Sequence, residues 1–477
     1  MLFNSIVFAI FLPFVFFVYW SEKMQKVERW NFWLVACSLF FYGWWDVRFL
    51  LLLLGTTLLD FFVANKMERT ATQVHRKRWL LVSLAGNLGV LGFFKYFDFF
   101  SHSLQVLLNK FGMHADFVTL GIVLPVGLSF YTFQAMSYTI DVYQRKLEAV
   151  KNPLTYLAYI SFFPQLVAGP IERAGHMLPQ FTKLKIFNYD NAVAGLRLML
   201  FGYFKKSVIA DNLAPLANAV FDKHAHPDAL AVMLGTIAFS IQIYCDFSGY
   251  TDIARGTARL FGFELIYNFR FPYFADSMRD FWHRWHISMS SWFRDYVYFP
   301  LGGNKKGFLR SNVNLLITFL VSGLWHGANW TFVAWGLWHG IGVTGENVYR
   351  KLGGKKFPKI IRHFLVVAFS FTSYIFLRSP SLHVAWDRLT ALFTKGWDVR
   401  VFQKIIPNDW PSPMYAACLL LLILVLFTID LALFKNKLHL FLKQPRWIRW
   451  SLYSFFVIVL LLFGIYMKPP AFIYFQF

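Results

Sequence analysis

Two histidines carry the same five-residue signature. His326 and His339 each stand in Gly-Leu-Trp-His-Gly, thirteen residues apart, and two more, His283 and His286, fall in the upstream stretch RDFWHRWHIS. An imidazole titrates near neutrality, so a histidine in a wet cavity inside a membrane can take a proton from a hydroxyl attacking an acyl group. No G-x-S-x-G elbow and no Ser-His-Asp arrangement accompanies His326 to supply a nucleophile of the protein's own. The chemistry these residues suit is direct transfer to an acceptor hydroxyl. A metal centre is the alternative to weigh. No cysteine or glutamate lies near the histidines at zinc spacing, and on a continuous helix thirteen residues set His326 and His339 about 140° apart. The spacing predicts no metal, and His283 and His339 read as packed or hydrogen-bonded structural histidines.

The element that must position His326 runs from Val313 to Gly342 without a Lys, Arg, Asp or Glu. As one helix it would reach ~45 Å, beyond the ~30 Å hydrocarbon core of a bilayer. It is therefore strongly tilted or broken, and Gly323, Gly327 and Asn329 favour a break beside His326. Basic loops flank it on both sides, Lys305 to Arg310 and Arg350 to Arg362 with Lys351, Lys355, Lys356 and Lys359. If both are cytoplasmic, the stretch enters and returns as two short arms meeting near Gly327 to Trp330, with His326 at mid-depth. A tilted single crossing is the competing reading.

The rest of the chain explains why a membrane is the setting. Of 477 residues, 57% are hydrophobic and only 15% charged, far less charge than a soluble domain carries. Apolar runs recur at 2–20, 31–45, 48–64, 79–94, 119–140, 153–169, 229–245, 313–342, 363–377, 413–434 and 450–467. The expected fold is all-α and polytopic, with about ten to twelve transmembrane helices plus re-entrant or interfacial ones. No basic residue precedes the first run and no A-x-A site follows it, so it is expected to stay as a membrane helix. The net charge of +22 does not point to nucleic acid, because the basic residues lie in short loops. Lys23, Lys26 and Arg29 fill one loop and Lys66, Arg69, Arg76, Lys77 and Arg78 another, which makes both cytoplasmic and sets the N- and C-termini outside. Cys37, Cys245 and Cys418 lie far apart in apolar runs and read as buried small side chains.

Several polar groups need partners or water. Gln134 and Gln165 sit beside Pro125 and Pro164 and either line a cavity or bond internally. Lys205 and Lys206 interrupt an apolar run, either snorkelling to headgroups or attracting a phosphorylated ligand. Asp246 and Asp252 flank Gly249. The bland reading there is an Asp252–Arg255 pair with Asp246 as a cap, and the alternative is a polar site. Residues 279–310 mix aromatics with charge and read as an in-plane or re-entrant interfacial segment. Lys305, Lys306 and Arg310 are candidate phosphate contacts or mere orientation signals. Asp60, Lys95 and Asp98 suggest no chemistry.

SGLWHGANW around His326, FWHRWHISMSSWFRDYVYFPLGGNKKG, YCDFSGYTDIA, LPVGLSFYTFQ and the terminal FIYFQF together resemble the membrane-bound O-acyltransferases, most closely the alginate O-acetyltransferase-like bacterial branch. The resemblance implies a single membrane-embedded domain over 1–477 around a central tunnel: N-terminal helices 1–150, a catalytic core 151–345 and C-terminal helices 346–477. It implies that His326 is catalytic and His286, within R-W-H-x-S, is the second family histidine. Arg284, Ser288, Trp325, Asn329, Asp246, Asp252, Lys305 and Lys306 are the candidate substrate contacts. It further implies cytosolic acetyl-CoA as donor and no permanently bound cofactor. The acceptor would be an exported polysaccharide such as alginate or cellulose, with an SGNH-hydrolase-like partner on the periplasmic side of a bacterial inner membrane and lipids around the chain. D-alanyl transfer from a carrier-protein thioester, or polymer export without chemistry, are the rival functions. No inverted repeat supports a transporter.

Overall fold

The computed structural model describes residues 1–113, 120–222, 228–355, 357–400, 406, 410, 412–437, 443–466, 470 and 472–475, the last without the Phe475 side chain. Lys356 and parts of the expected 378–412 and 435–449 loops and of AFIYFQF lie outside the described residues. Among the described residues every regular element is helical. Among the described residues seven helices are long and apolar enough to cross a membrane: Arg48–Arg69, Gln73–Lys110, Ala229–Leu260, Gly307–His326, Lys359–Leu377, Pro413–Phe434 and Arg446–Phe463, with Ile6–Tyr19 a shorter apolar one. Two further apolar runs are cut short by their own residues. The run at 119–140 becomes helical only from Leu128, after Gly127 at φ +76°, and the run at 153–169 ends its helix at Ser161, just ahead of Pro164.

The chain forms two compact units, one of Met1–Leu196 with Ala254–Ile266 and one of Arg197–Ile253 with Tyr267–Phe477. In the first unit the buried carboxylate of Asp60 is answered by neutral donors, Ser83 Oγ at 2.5 Å and Asn87 Nδ2 at 2.8 Å. Gln134 and Gln165 both donate to the Tyr159 carbonyl, at 2.9 and 2.7 Å. Their amides bond internally, the packing alternative of the two.

The second unit contains the hairpin that carries His326. One arm is Gly307–His326, the chain bends through Gly327 to Asn329 with Gly327 and Asn329 themselves extended, and the other arm is Trp330–Lys351. The stretch does enter and return, and its two basic flanks stand at the same end. The arms are not short, however: 20 and 22 residues correspond to about 30 and 33 Å. His326 thus lies at the far end of the first arm, about 20 Å along its axis from Val313. Glycine sets the spacing between the arms. A Cβ on Gly336 would run into the Phe319 carbonyl oxygen and stand 3.1 Å from the Gly323 Cα, and one on Gly323 would run into the Phe332 carbonyl. The repeated GLWHG is therefore two small-residue faces laid against each other, which lets the backbones touch.

Residues 279–310 differ from expectation. They fold as helices Met278–Arg284 and Ile287–Phe293, a π-helical turn Arg294–Tyr298 and a run of turns. Phe281, Trp282, Trp285, Trp292 and Phe293 are buried in protein. These five aromatics serve this unit's core, whereas Phe299, Phe308 and Leu309, 53%, 37% and 79% exposed, face outward.

Candidate active site

His326 ends its helix. Gly327, extended at φ −155°, and the Asn329 N-cap of the next arm hold the break open, and the imidazole is 6% exposed. Trp335, from the returning arm, meets the His326 ring edge-on at 4.9 Å between centroids and the His339 ring at the same distance on its other side. His339 is tied by Nε2 to Ser373 Oγ at 2.9 Å and wedged against Trp282 at 4.9 Å. It is the structural histidine its sequence context suggested. His283 is exposed on the surface of its short helix.

His286 comes to His326 from a different element. Their ring centroids are 6.0 Å apart. His286 is fully buried and sits at φ +44°, ψ +53°, the left-handed region that a side chain with a Cβ enters at a cost of about 1–2 kcal/mol. Such strain persists only where neighbours over-determine it. Here Asn268 does so: its carbonyl accepts the Ile287 N–H at 2.9 Å, while its Oδ1 accepts the Ser288 hydroxyl at 2.8 Å and the Ser288 N–H at 3.3 Å. A parallel bond from the Arg270 N–H to the Arg284 carbonyl, 2.9 Å, fixes the other side of the turn. Burial pushes the His286 imidazole down to about 3, so the ring is neutral and presents one donor and one acceptor nitrogen.

The other candidates divide. Trp325 packs on His326 at 4.9 Å and is 6.3 Å from His286, inside the site. Asn329 accepts the Thr331 N–H at 3.0 Å and donates to the Pro380 carbonyl at 3.3 Å, so its amide caps the helix. Ser288 and Arg284 serve the His286 turn, Arg284 through Asp280 Oδ1 at 2.8 Å. Lys305 and Lys306 are exposed in the turns before Gly307, at the opposite end of the first arm from His326.

Two readings of the charged residues are corrected. Lys205 and Lys206 do not snorkel; they are 4% and 3% exposed in a π-helical stretch, Phe204–Ala210, packed against the helix Ala229–Leu260. Gly202 and Gly249 cross there so closely that a Cβ on either would sit 2.7 Å from the other's carbonyl oxygen. That contact delivers Lys205 to Asp252 and Lys206 to Asp246, the latter at 2.7 Å, with Asp211 at 2.6 Å on the same ammonium. Asp252 is thus paired with a lysine of another element, and Asp246 lies mid-helix and caps nothing. Both aspartates join a buried ion network that also faces the Tyr244–Asp430 bond of 2.6 Å.

Three participants escaped the sequence reading. Asn268 looks like any loop asparagine until the left-handed His286 is seen, and Trp335 was hidden by the prominence of the two histidines. Tyr474 lies in the terminal motif; its ring stands 5.6 Å from His326 and 6.0 Å from His286. The FIYFQF letters were the available signal for it.

Comparison with known proteins fits this geometry. The chain is 33% identical to a peptidoglycan O-acetyltransferase of Helicobacter pylori over the whole of this chain and 98% of that protein. It is 36% identical to a probable alginate O-acetylase of Azotobacter vinelandii over 85% of this chain and 80% of that one. The model of the membrane-bound O-acyltransferase family matches residues 143–379. The chain belongs to the membrane-bound O-acyltransferase family. It is a multi-pass membrane O-acyltransferase, and the family match contains both His286 and His326, whereas Tyr474 lies beyond it. A more distant relation, 30% identical over 42% of this chain and 53% of the other, is to a teichoic acid D-alanyltransferase of Bacillus subtilis.

Proposed function

We propose that this O-acyltransferase moves an acetyl group from cytosolic acetyl-CoA to hydroxyls of an exported polysaccharide, directly or through a protein partner on the outer side of a bacterial inner membrane. In this reading His326 takes the proton of the attacking hydroxyl and His286 donates to the acyl carbonyl oxygen, while the thiolate of CoA leaves. The observation that carries it is the convergence of two imidazoles from separate elements, 6.0 Å apart, in an aromatic enclosure. A single carbonyl carbon between them can be reached by a base on one side and a donor on the other. The end of the helix Gly307–His326 adds to this, because a helix C-terminus favours the imidazolium formed when His326 accepts a proton.

Several features support the sidedness. The basic flanks of the hairpin, Lys305 to Arg310 and Arg350 to Arg362, are proposed as cytoplasmic, where they attract an anionic CoA. His326, near the opposite end of the arm, then faces an acceptor arriving from outside, and both chain termini are outside. The relatives' names supply the acceptor class: a glycan bearing hydroxyls, of the peptidoglycan or the alginate kind.

The test uses purified protein in nanodiscs with acetyl-CoA labelled in the acetyl group, with and without His326→Ala, and follows free CoA and the label. Release of CoA by the intact protein, stopped by the substitution, supports the reading. No consumption of acetyl-CoA, with turnover of a D-alanyl carrier-protein thioester instead, overturns the donor.

A further inference from the structure

The buried ions do more than neutralise one another. Asp246 uses one oxygen for Lys206 and the other, Oδ2, to accept the backbone N–H of Ile473 at 2.7 Å. Lys206 Nζ in turn donates to the Pro470 carbonyl at 3.4 Å. Two backbone groups from one short segment therefore end on a single buried cluster, Lys206 with Asp211 and Asp246. Among its described residues the regular structure is a three-residue 3-10 turn, Ile473–Phe475. Yet Phe472 and Ile473 are each 1% exposed. Phe472 stacks on Tyr474 and on Tyr250, at 5.6 and 4.8 Å, and the Tyr474 ring packs on Phe247 at 4.5 Å while facing both histidines.

We propose that the Lys206–Asp211–Asp246 cluster is a latch that seats Pro470 and Phe472–Tyr474 as one wall of the histidine site. Asp246 is then a positioning residue for this wall and not a contact for substrate. A terminal segment outside a long helix opens locally when the buried bonds that anchor it are lost, and the bonds of Ile473 and Pro470 to the cluster are two such anchors. The bond from Ile473 is charge-assisted, about twice as strong as one between neutral groups. Without it the wall moves off, and the two imidazoles lose the ring that encloses them on that side. The consequence for turnover rests on the transferase reading, but the seating itself does not.

The experiment compares the full-length protein with Asp246→Asn and Ile473→Pro in nanodiscs. Hydrogen exchange of the peptide carrying Ile473 is measured beside kcat and KM for acetyl-CoA. In Asp246→Asn, exchange at that peptide rises by about tenfold or more while peptides of the hairpin Gly307–Lys351 are unchanged. In the same variant kcat falls at least about tenfold and KM moves little. Ile473→Pro removes the donor N–H but leaves the ion cluster whole, and it lowers kcat comparably, which covers the case in which Asp246→Asn fails to fold. Loss of activity in Asp246→Asn with unchanged exchange overturns the latch in favour of direct substrate contact. Retained kcat in either variant despite faster exchange overturns the segment's part in the site. An intact protein that consumes no acetyl-CoA counts against the donor reading alone, because the exchange comparison decides the seating independently.

Discussion

Gly323 and Gly336 lie face to face across the hairpin, so close that a Cβ on Gly336 would stand 3.1 Å from the Gly323 Cα and run into the Phe319 carbonyl oxygen. This contact lets Trp335, next to Gly336, fill the space between His326 and His339. Backbone cannot yield as a flexible side chain does, so Gly336→Val forces the arms apart. The expected loss is about 1–3 kcal/mol or more of stability, with activity falling further as Trp335 leaves His326. Gly345→Ala, on the same arm with nothing within 4 Å, serves as the matched control and leaves the melting temperature unchanged or slightly raised. Thermal unfolding of both variants in detergent separates the two; equal behaviour would falsify the close-contact account.

Asn268 holds the turn at His286 through its bonds to Ile287 and Ser288. Asn268→Ala removes the acceptor for the Ser288 hydroxyl and N–H and leaves the left-handed His286 to its own preference, at a cost of about 1–3 kcal/mol in a buried site. The turn relaxes, kcat falls roughly ten- to hundredfold, and KM for the acyl donor changes little. Asn268→Asp, which keeps the acceptor oxygen, recovers part of the rate. Steady-state kinetics on the three proteins decides it, and equal rates in Asn268→Ala and the parent protein would remove Asn268 from the site.

Much of this was legible in the letters. Charge-free length against bilayer thickness required Val313 to Gly342 to tilt or break, and Gly327 and Asn329 located the break where the structure has it. The R-W-H-x-S and GLWHG motifs named the two histidines that converge. What could not be read was partner choice across elements. Lys205, Lys206, Asp246 and Asp252 are each costly in an apolar run, but only the Gly202–Gly249 crossing says which cation meets which anion. Sequence spacing suggested Asp252 with Arg255, one turn apart, and gave no sign of the contact between helices that brings Lys205 to the same carboxylate. The aromatics of 279–310 misled for a related reason: composition suits an interface and a protein core equally, and burial alone separates them.

The lysine pairing makes a sharp energetic statement. Lys205 and Asp252 have side chains 5% and 17% exposed, and removing one leaves the other charge buried without its counter-ion. Asp252→Asn is expected to destabilise by about 3–5 kcal/mol, whereas an exposed lysine near headgroups would give under about 1. The double substitution Lys205→Met with Asp252→Leu recovers most of the loss, since the pair's own desolvation penalty disappears with it. A double-mutant cycle from denaturant unfolding reads the coupling, and additive single effects would return Lys205 to the headgroup reading.

Acid provides a test of His286 that needs no substrate. Its imidazole is held at about 3 by burial, against an ordinary value near 6.5, so between those limits the unfolded chain binds a proton that the folded protein refuses. Stability attributable to this group is full above about pH 6.5 and is lost as pH falls toward 3, with a slope of at most about 1.4 kcal/mol per pH unit. His286→Gln removes the titration while keeping a polar side chain of similar reach. Unfolding midpoints measured from pH 7.5 down to pH 4.5 should therefore converge for the two proteins as the medium becomes more acidic. The parent starts higher and falls more steeply. Parallel curves would mean that His286 takes up its proton in the folded state, and the neutral-donor role proposed for it at the acyl carbonyl would fall with that result.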